Sequence, residues 1–153
     1  MNKTDILKLR EETGAGVMSA KKALDEFKGD YQKAKQYLVE KGLKKAEEKS
    51  GREIKAGLVW SYVHGGDTIE GGRIGVLVKV GCETDFVAKT GDFKTLCKEL
   101  ALQISAMNPK DVEELLQQEH ILDSSKKVEQ LIKETIAKVG ENIQIVEFRR
   151  ISL

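Results

Sequence analysis

The stretch Ile74-Gly75-Val76-Leu77-Val78-Lys79-Val80-Gly81-Cys82-Glu83-Thr84-Asp85-Phe86-Val87-Ala88 decides how this chain folds. Ile74, Val76, Val78 and Val80 recur at every second position, the spacing of a strand with one buried face. The alternation stops at Gly81, and Thr84 is placed to accept a hydrogen bond from a following backbone N–H and start a helical turn. A strand that runs into a helical corner predicts a sheet with helices packed on it. Upstream, Leu58-Val59-Trp60-Ser61-Tyr62-Val63 reads as the partner strand, with His64-Gly65-Gly66 and Gly71-Gly72 punctuating the loop between. The pattern G-x-x-x-x-G-K-[ST] is absent and no helix follows the glycines. The loop therefore reads as a hairpin connection and not as a phosphate cradle.

Downstream the period changes. Phe93, Leu96, Cys97, Leu100, Ala101 and Ile104 fall on one helical face, with Asp92 the expected N-cap and Asn108-Pro109 the stop. Cys97 in that stripe is most simply a small buried residue. Asp111 to Gln118 predicts another short helix. Val128, Leu131, Ile132, Thr135, Ile136 and Val139 repeat the helical spacing up to Gly140. From Glu141 to Leu153 the chain is strand-like. Ile143 and Ile145 share one parity, while Val146 and Phe148 take the other, which implies a bulge or burial on both faces. At a sheet edge, the stretch Asn142 to Ile151 could pair with a second copy of the chain.

Before Lys55 everything reads as helix. Thr4 is the expected cap of a first helix through Glu11, broken by Thr13-Gly14-Ala15-Gly16. A second runs from Val17 to Phe27, with Val17, Ala20, Ala23, Leu24 and Phe27 on its apolar face. Gly29 ends it, and Asp30 caps a third helix through Lys41, whose stripe is Tyr31, Ala34, Tyr37 and Leu38. Leu43 to Lys49, interrupted by Ser50-Gly51, reads as a linker. The fold class expected is α+β: a three-helix bundle with linker over 1–53, then a small antiparallel sheet of about three strands packed with helices over 54–153.

Charge and composition narrow the function. The 153 residues carry 26 basic and 25 acidic side chains, a net charge of +1, unlike a protein held mainly by phosphate backbones. Residues 1–53 are at +3 and the remainder at −2. No apolar run approaches the ~20 residues of a membrane span, and the first residues carry Lys3 and Asp5 with no apolar h-region, so no secretory signal is expected and the chain reads as cytoplasmic. Cys82 and Cys97 form no C-x-x-C, and His64 and His120 form no H-E-x-x-H. No metal, cofactor or catalytic residue is expected. Lys21, Lys22, Lys44, Lys45 and Lys49 raise an RNA-binding reading. No aromatic stacking surface accompanies them, and lysine runs on helices are ordinarily solvated faces.

Phe86 carries two readings. It either folds back onto the sheet, gaining up to ~3 kcal/mol of burial, or stands out at the corner as a probe for a partner. Thr84-Asp85-Phe86-Val87, after Cys82-Glu83, resembles the T-D-F-V signature of the translation elongation factor Ts family. Thr13-Gly14-Ala15-Gly16-Val17-Met18 with Lys21-Lys22-Ala23-Leu24 is similar to the family too. So are Gly29-Asp30, Lys41-Gly42, Ile74 to Val78, Ala101 to Ile104, Ala106 to Pro109, and Ile136-Ala137-Lys138 through Gly140-Glu141-Asn142-Ile143. The resemblance spans nearly the whole chain. It implies a guanine-nucleotide exchange factor for elongation factor Tu, in its GDP-bound and nucleotide-free forms, and not an enzyme that breaks a covalent bond. It also implies that the bundle is ubiquitin-associated-like and docks through Arg10, Val17, Met18 and Lys21. At the corner, Thr84, Asp85, Phe86 and Val87 would act towards the partner's magnesium site. An adaptor with a ubiquitin-associated-like bundle and no exchange activity is the alternative, and it leaves Asp85-Phe86 without a role. Two departures stand out. Val17-Met18-Ser19 replaces the Met-Met-acidic run of many members, and the region after Pro109 is short, leaving room for one core module.

Overall fold

In a computed structural model, described here for residues 2–66 and 71–153, three helices precede a sheet-and-helix layer. The tip of the glycine-rich hairpin loop, residues 67–70, lies outside the described residues. The helices α1 (Lys3–Thr13), α2 (Val17–Glu26) and α3 (Tyr31–Glu48) enclose a small core of Leu9, Ala20, Ala23, Leu24, Ala34 and Leu38. Asn2, not Thr4, caps α1: its side chain accepts from the Thr4 N–H at 3.2 Å, two residues before the position the hydroxyl suggested. Val17 does not join the buried face of α2 but is 47% exposed. Asp30 caps α3 as expected, accepting from the Lys33 N–H at 3.1 Å.

The linker reading of Leu43 to Lys49 is corrected. Helix α3 continues through Glu48 because Ala46, 1% exposed, drops into the core of the second layer. One helix therefore contributes to two cores. Its far half packs on α7 (Val128–Val139), where Lys133 pairs with Glu47 at 3.2 Å. The turn before α2 rests on the same wall. Gly14 has φ +69°, and a Cβ there would strike the Lys138 backbone.

Strands β1 (Ala56–His64), β2 (Ile74–Cys82) and β5 (Ile143–Ser152) form an antiparallel sheet in the order β1-β2-β5. The mixed parity of the last strand resolves as a bulge. Lys79 pairs with Glu147 but Val80 with Ile145, leaving Val146 without an opposite number. The extra residue lets Ile143 and Ile145 on one side of it and Phe148 on the other all turn to the core face. Between β2 and α7 lie α4 (Asp85–Ala88), α5 (Gly91–Met107) and α6 (Val112–Gln117). The cap of α5 is Thr90, whose hydroxyl accepts from Phe93 N–H at 3.3 Å. Asp92 instead sits in the first turn, where a carboxylate suits the helix dipole. A short hairpin, β3 (Glu119–His120) with β4 (Asp123–Lys127), was not legible in the sequence. Its polar residues carry no period-two apolar pattern. The inner face of the sheet, α5 and α7 make the main core around Val78, Val80, Phe93, Leu96, Leu100 and Ile104. No helix among the described residues is long and apolar enough to cross a membrane.

Candidate partner-binding site

Helix α4 is a single turn, too short to be stable by its own hydrogen bonds. It exists because both ends are held. Thr84 caps it, its hydroxyl accepting from Val87 N–H at 3.4 Å. Val87 and Ala88, 4% and 3% exposed, anchor its far side in the main core. That leaves Asp85 and Phe86 on the outer side of the turn. Phe86 is 82% exposed, against 0% for Phe93, while Phe27 and Phe148 are half-buried. The reading that folds Phe86 onto the sheet is overturned, because Val87, one residue on, takes the inward position. Val87 itself does not face solvent, so its part at this corner is to hold the turn down.

Thr84 is tied on every side. Its N–H donates to Glu141 Oε1 at 2.9 Å and its hydroxyl to Glu141 Oε2 at 2.8 Å. The Cys82 thiol donates to the Thr84 carbonyl at 3.2 Å. In the opposite direction, Asn142 N–H donates to Glu83 Oε1 at 2.8 Å, and Arg52 pairs with the same oxygen at 3.6 Å. Glu83 and Glu141 thus cross-link the end of β2 with the start of β5. The site reading from sequence did not include Glu141, although Gly140-Glu141-Asn142-Ile143 was among the stretches that carried the resemblance.

On the bundle, Met18 is 65% exposed, and Arg10 and Lys21 are exposed on α1 and α2. An exposed methionine beside a lysine is a surface that adapts to a partner. A cleft of about 340 Å³ is lined by Arg10, Glu11, Gly14, Asp92 and Lys138, so Arg10 faces the start of α5, the helix that follows the corner. Both thiols are buried, and burial pushes Cys97 up to about 12 and raises Cys82, further disfavoured by the Glu141 charge. His64 meets the Tyr62 hydroxyl at 2.8 Å, and the buried His120 lies 3.3 Å from a Glu99 oxygen; neither is hydrogen-bonded to a cysteine. Among the described residues, no group of three or more His, Cys, Asp or Glu side chains could hold a metal ion.

The family model described as Elongation factor TS matches residues 83–153. An elongation factor Ts of Coprothermobacter proteolyticus is 42% identical over 193 aligned positions, covering 97% of this chain and 95% of the relative. That of Thermoanaerobacter sp. (strain X514) is 43% identical over 190 positions, covering 95% and 91%. That of Thermotoga neapolitana is 42% identical over 188, covering 95% and 93%. The 193 positions exceed the 153 residues of this chain, so the first relative carries residues with no counterpart here. Similarity that runs from the helical bundle to the last strand in all three places this chain in the elongation factor Ts family of translation factors.

Proposed function

We propose that this protein is a guanine-nucleotide exchange factor for elongation factor Tu and that it acts through the Thr84 corner. The observation that carries the reading is Phe86, 82% exposed on a turn tied through Thr84 to Glu141, in the connection between α7 and β5. A rigidly presented aromatic ring is the kind of group that dominates binding when it enters a partner's pocket. Arg10, Val17, Met18 and Lys21 dock the bundle on the partner's nucleotide-binding domain. Asp85 and Phe86 enter beside the magnesium ion, and Val87 fixes their base.

The mechanism is a coupling of two binding events. A GTPase holds GDP largely by its phosphates, through backbone N–H groups, a lysine and Mg²⁺. A factor that stabilises a GTPase shape poorly matched to Mg²⁺ and phosphate lowers nucleotide affinity, and the nucleotide lowers affinity for the factor by the same amount. Loosening GDP about 1000-fold requires roughly 4 kcal/mol of such coupling. One inserted Phe with its surrounding contacts is of that order. No bond is made or broken, so no acid or base is needed. Rebinding of either nucleotide releases the factor, and abundant GTP sets the direction. Stopped-flow release of fluorescent GDP from elongation factor Tu tests the reading: release should accelerate with added protein and saturate. An unchanged release rate at saturating protein would return the chain to the adaptor reading.

A further inference from the structure

We infer that Glu141 is a positioning residue for Phe86, holding the corner in register with the start of β5; the inference rests on the exchange reading above. Both carboxylate oxygens of Glu141 are spent on Thr84, at 2.9 and 2.8 Å, across 57 residues of sequence. The same Thr84 hydroxyl that donates to Glu141 accepts from Val87 N–H. Its proton and lone pair are thereby assigned: with the carboxylate fixing the proton, the lone pair is left aimed at the helix N–H. Glu141 thus orients the cap that starts α4, and α4 orients Phe86.

The residue's own position is set from behind. Gly140 ends α7 with φ +80°, a conformation that favours glycine, and its N–H donates to Ile136 carbonyl at 2.8 Å. Asn142, 1% exposed, follows Glu141 and donates through Nδ2 to the Ser50 and Arg52 carbonyls at 3.3 and 2.8 Å. Glu141 is therefore flanked by a helix cap and a buried amide, while the corner it holds is exposed. If that link were missing, the single turn of α4 would be tethered mainly by Val87 and Ala88. Phe86 would then sample many directions and have to be ordered on binding, which weakens its insertion.

The test is a double-mutant cycle read in GDP release from elongation factor Tu, with amide hydrogen exchange on the free protein. Glu141→Ala should lower the maximal release rate about tenfold, with a smaller change in half-saturating concentration. Glu141→Gln should recover only part of the loss: its amide oxygen can still accept from Thr84 N–H, but its NH2 cannot take the hydroxyl proton that the second carboxylate oxygen fixes. In a Phe86→Ala background, Glu141→Ala should change the rate less than about twofold, because the two act through one group. Amides of residues 84–88 should lose protection in Glu141→Ala while those of α5 keep theirs. An equal loss of rate in both backgrounds, or unchanged protection at 84–88, overturns the inference. If the wild-type chain does not accelerate release, the exchange reading fails first and this inference falls with it. If the wild type accelerates and only the cycle is additive, the exchange reading stands and Glu141 does not position Phe86.

Discussion

Phe86 and Val87 are adjacent, apolar and opposite in fate. The turn started by Thr84 directs one to solvent and one to the core, where Val87 is 4% exposed. Phe86→Ala should slow GDP release at least about tenfold yet shift stability by less than ~0.5 kcal/mol, since the ring contributes almost no burial. Urea unfolding beside the release assay checks both; a collapse in stability would show that the ring belongs to the fold. The cysteines give a second expectation. Burial raises Cys97 from the ordinary 9.0 to about 12, and Tyr31, raised by burial and then by the Glu12 carboxylate, also reaches about 12. Above pH 9 the unfolded chain releases protons that the folded chain retains, so stability is full below that pH and falls as pH rises towards 12. The urea midpoint should drop between pH 8.5 and pH 10.5, roughly the range in which the unfolded thiol ionises. A thiol reagent at pH 8 should leave both cysteines unmodified until urea is added, because burial keeps both thiols protonated and covered in the folded chain.

At the scale of elements, α3 is the informative helix. In its last turns Lys44, Lys45, Glu47 and Glu48 are exposed, Gly42 lies against Ala137 of α7, and Ala46 is buried in the main core. Ala46→Asp would place an unpaired carboxylate in the main core and should cost about 3 kcal/mol or more, read as a lowered urea midpoint. A neutral outcome would mean that the end of α3 detaches freely from α7. Lys21 lies on the exposed face of α2. Lys21→Ala should weaken association with elongation factor Tu more than it alters the maximal release rate, because the proposed reading gives Lys21 a part in docking and none at the corner. Salt titration of the association constant checks it, and an unchanged affinity would remove Lys21 from the docking surface.

For the whole molecule, the sheet order leaves β5 at an edge, with Ile151 77% exposed and Val146 46% exposed on it. We propose that two copies associate through this edge near Asn142 to Ile151, as free strand edges recruit partners. Sedimentation equilibrium should show a dimer at high concentration that a Val146→Lys change dissociates; a monomer throughout would end the proposal. Helix α3 contributes to both cores, with Ala34 and Leu38 in the bundle and Ala46 in the main core, whereas the buried residues of α7 belong to the main core.

Several features were legible before any coordinates: the helices with clean 3.6-residue stripes, two period-two strands, the bulge implied by Ile145-Val146, and the Thr84 cap. Each is a local pattern, and local patterns survive because backbone hydrogen bonding and side-chain alternation act over a few residues. The outward Phe86 was one of two readings the sequence left open; the hairpin β3–β4 and the extension of α3 through Glu48 were not legible, because each depends on what lies across the fold. Glu141 reaches Thr84 from 57 residues away. No spacing rule connects them. Only the packing of α7 against the sheet brings that carboxylate to the corner, and through it the direction in which an exposed ring points.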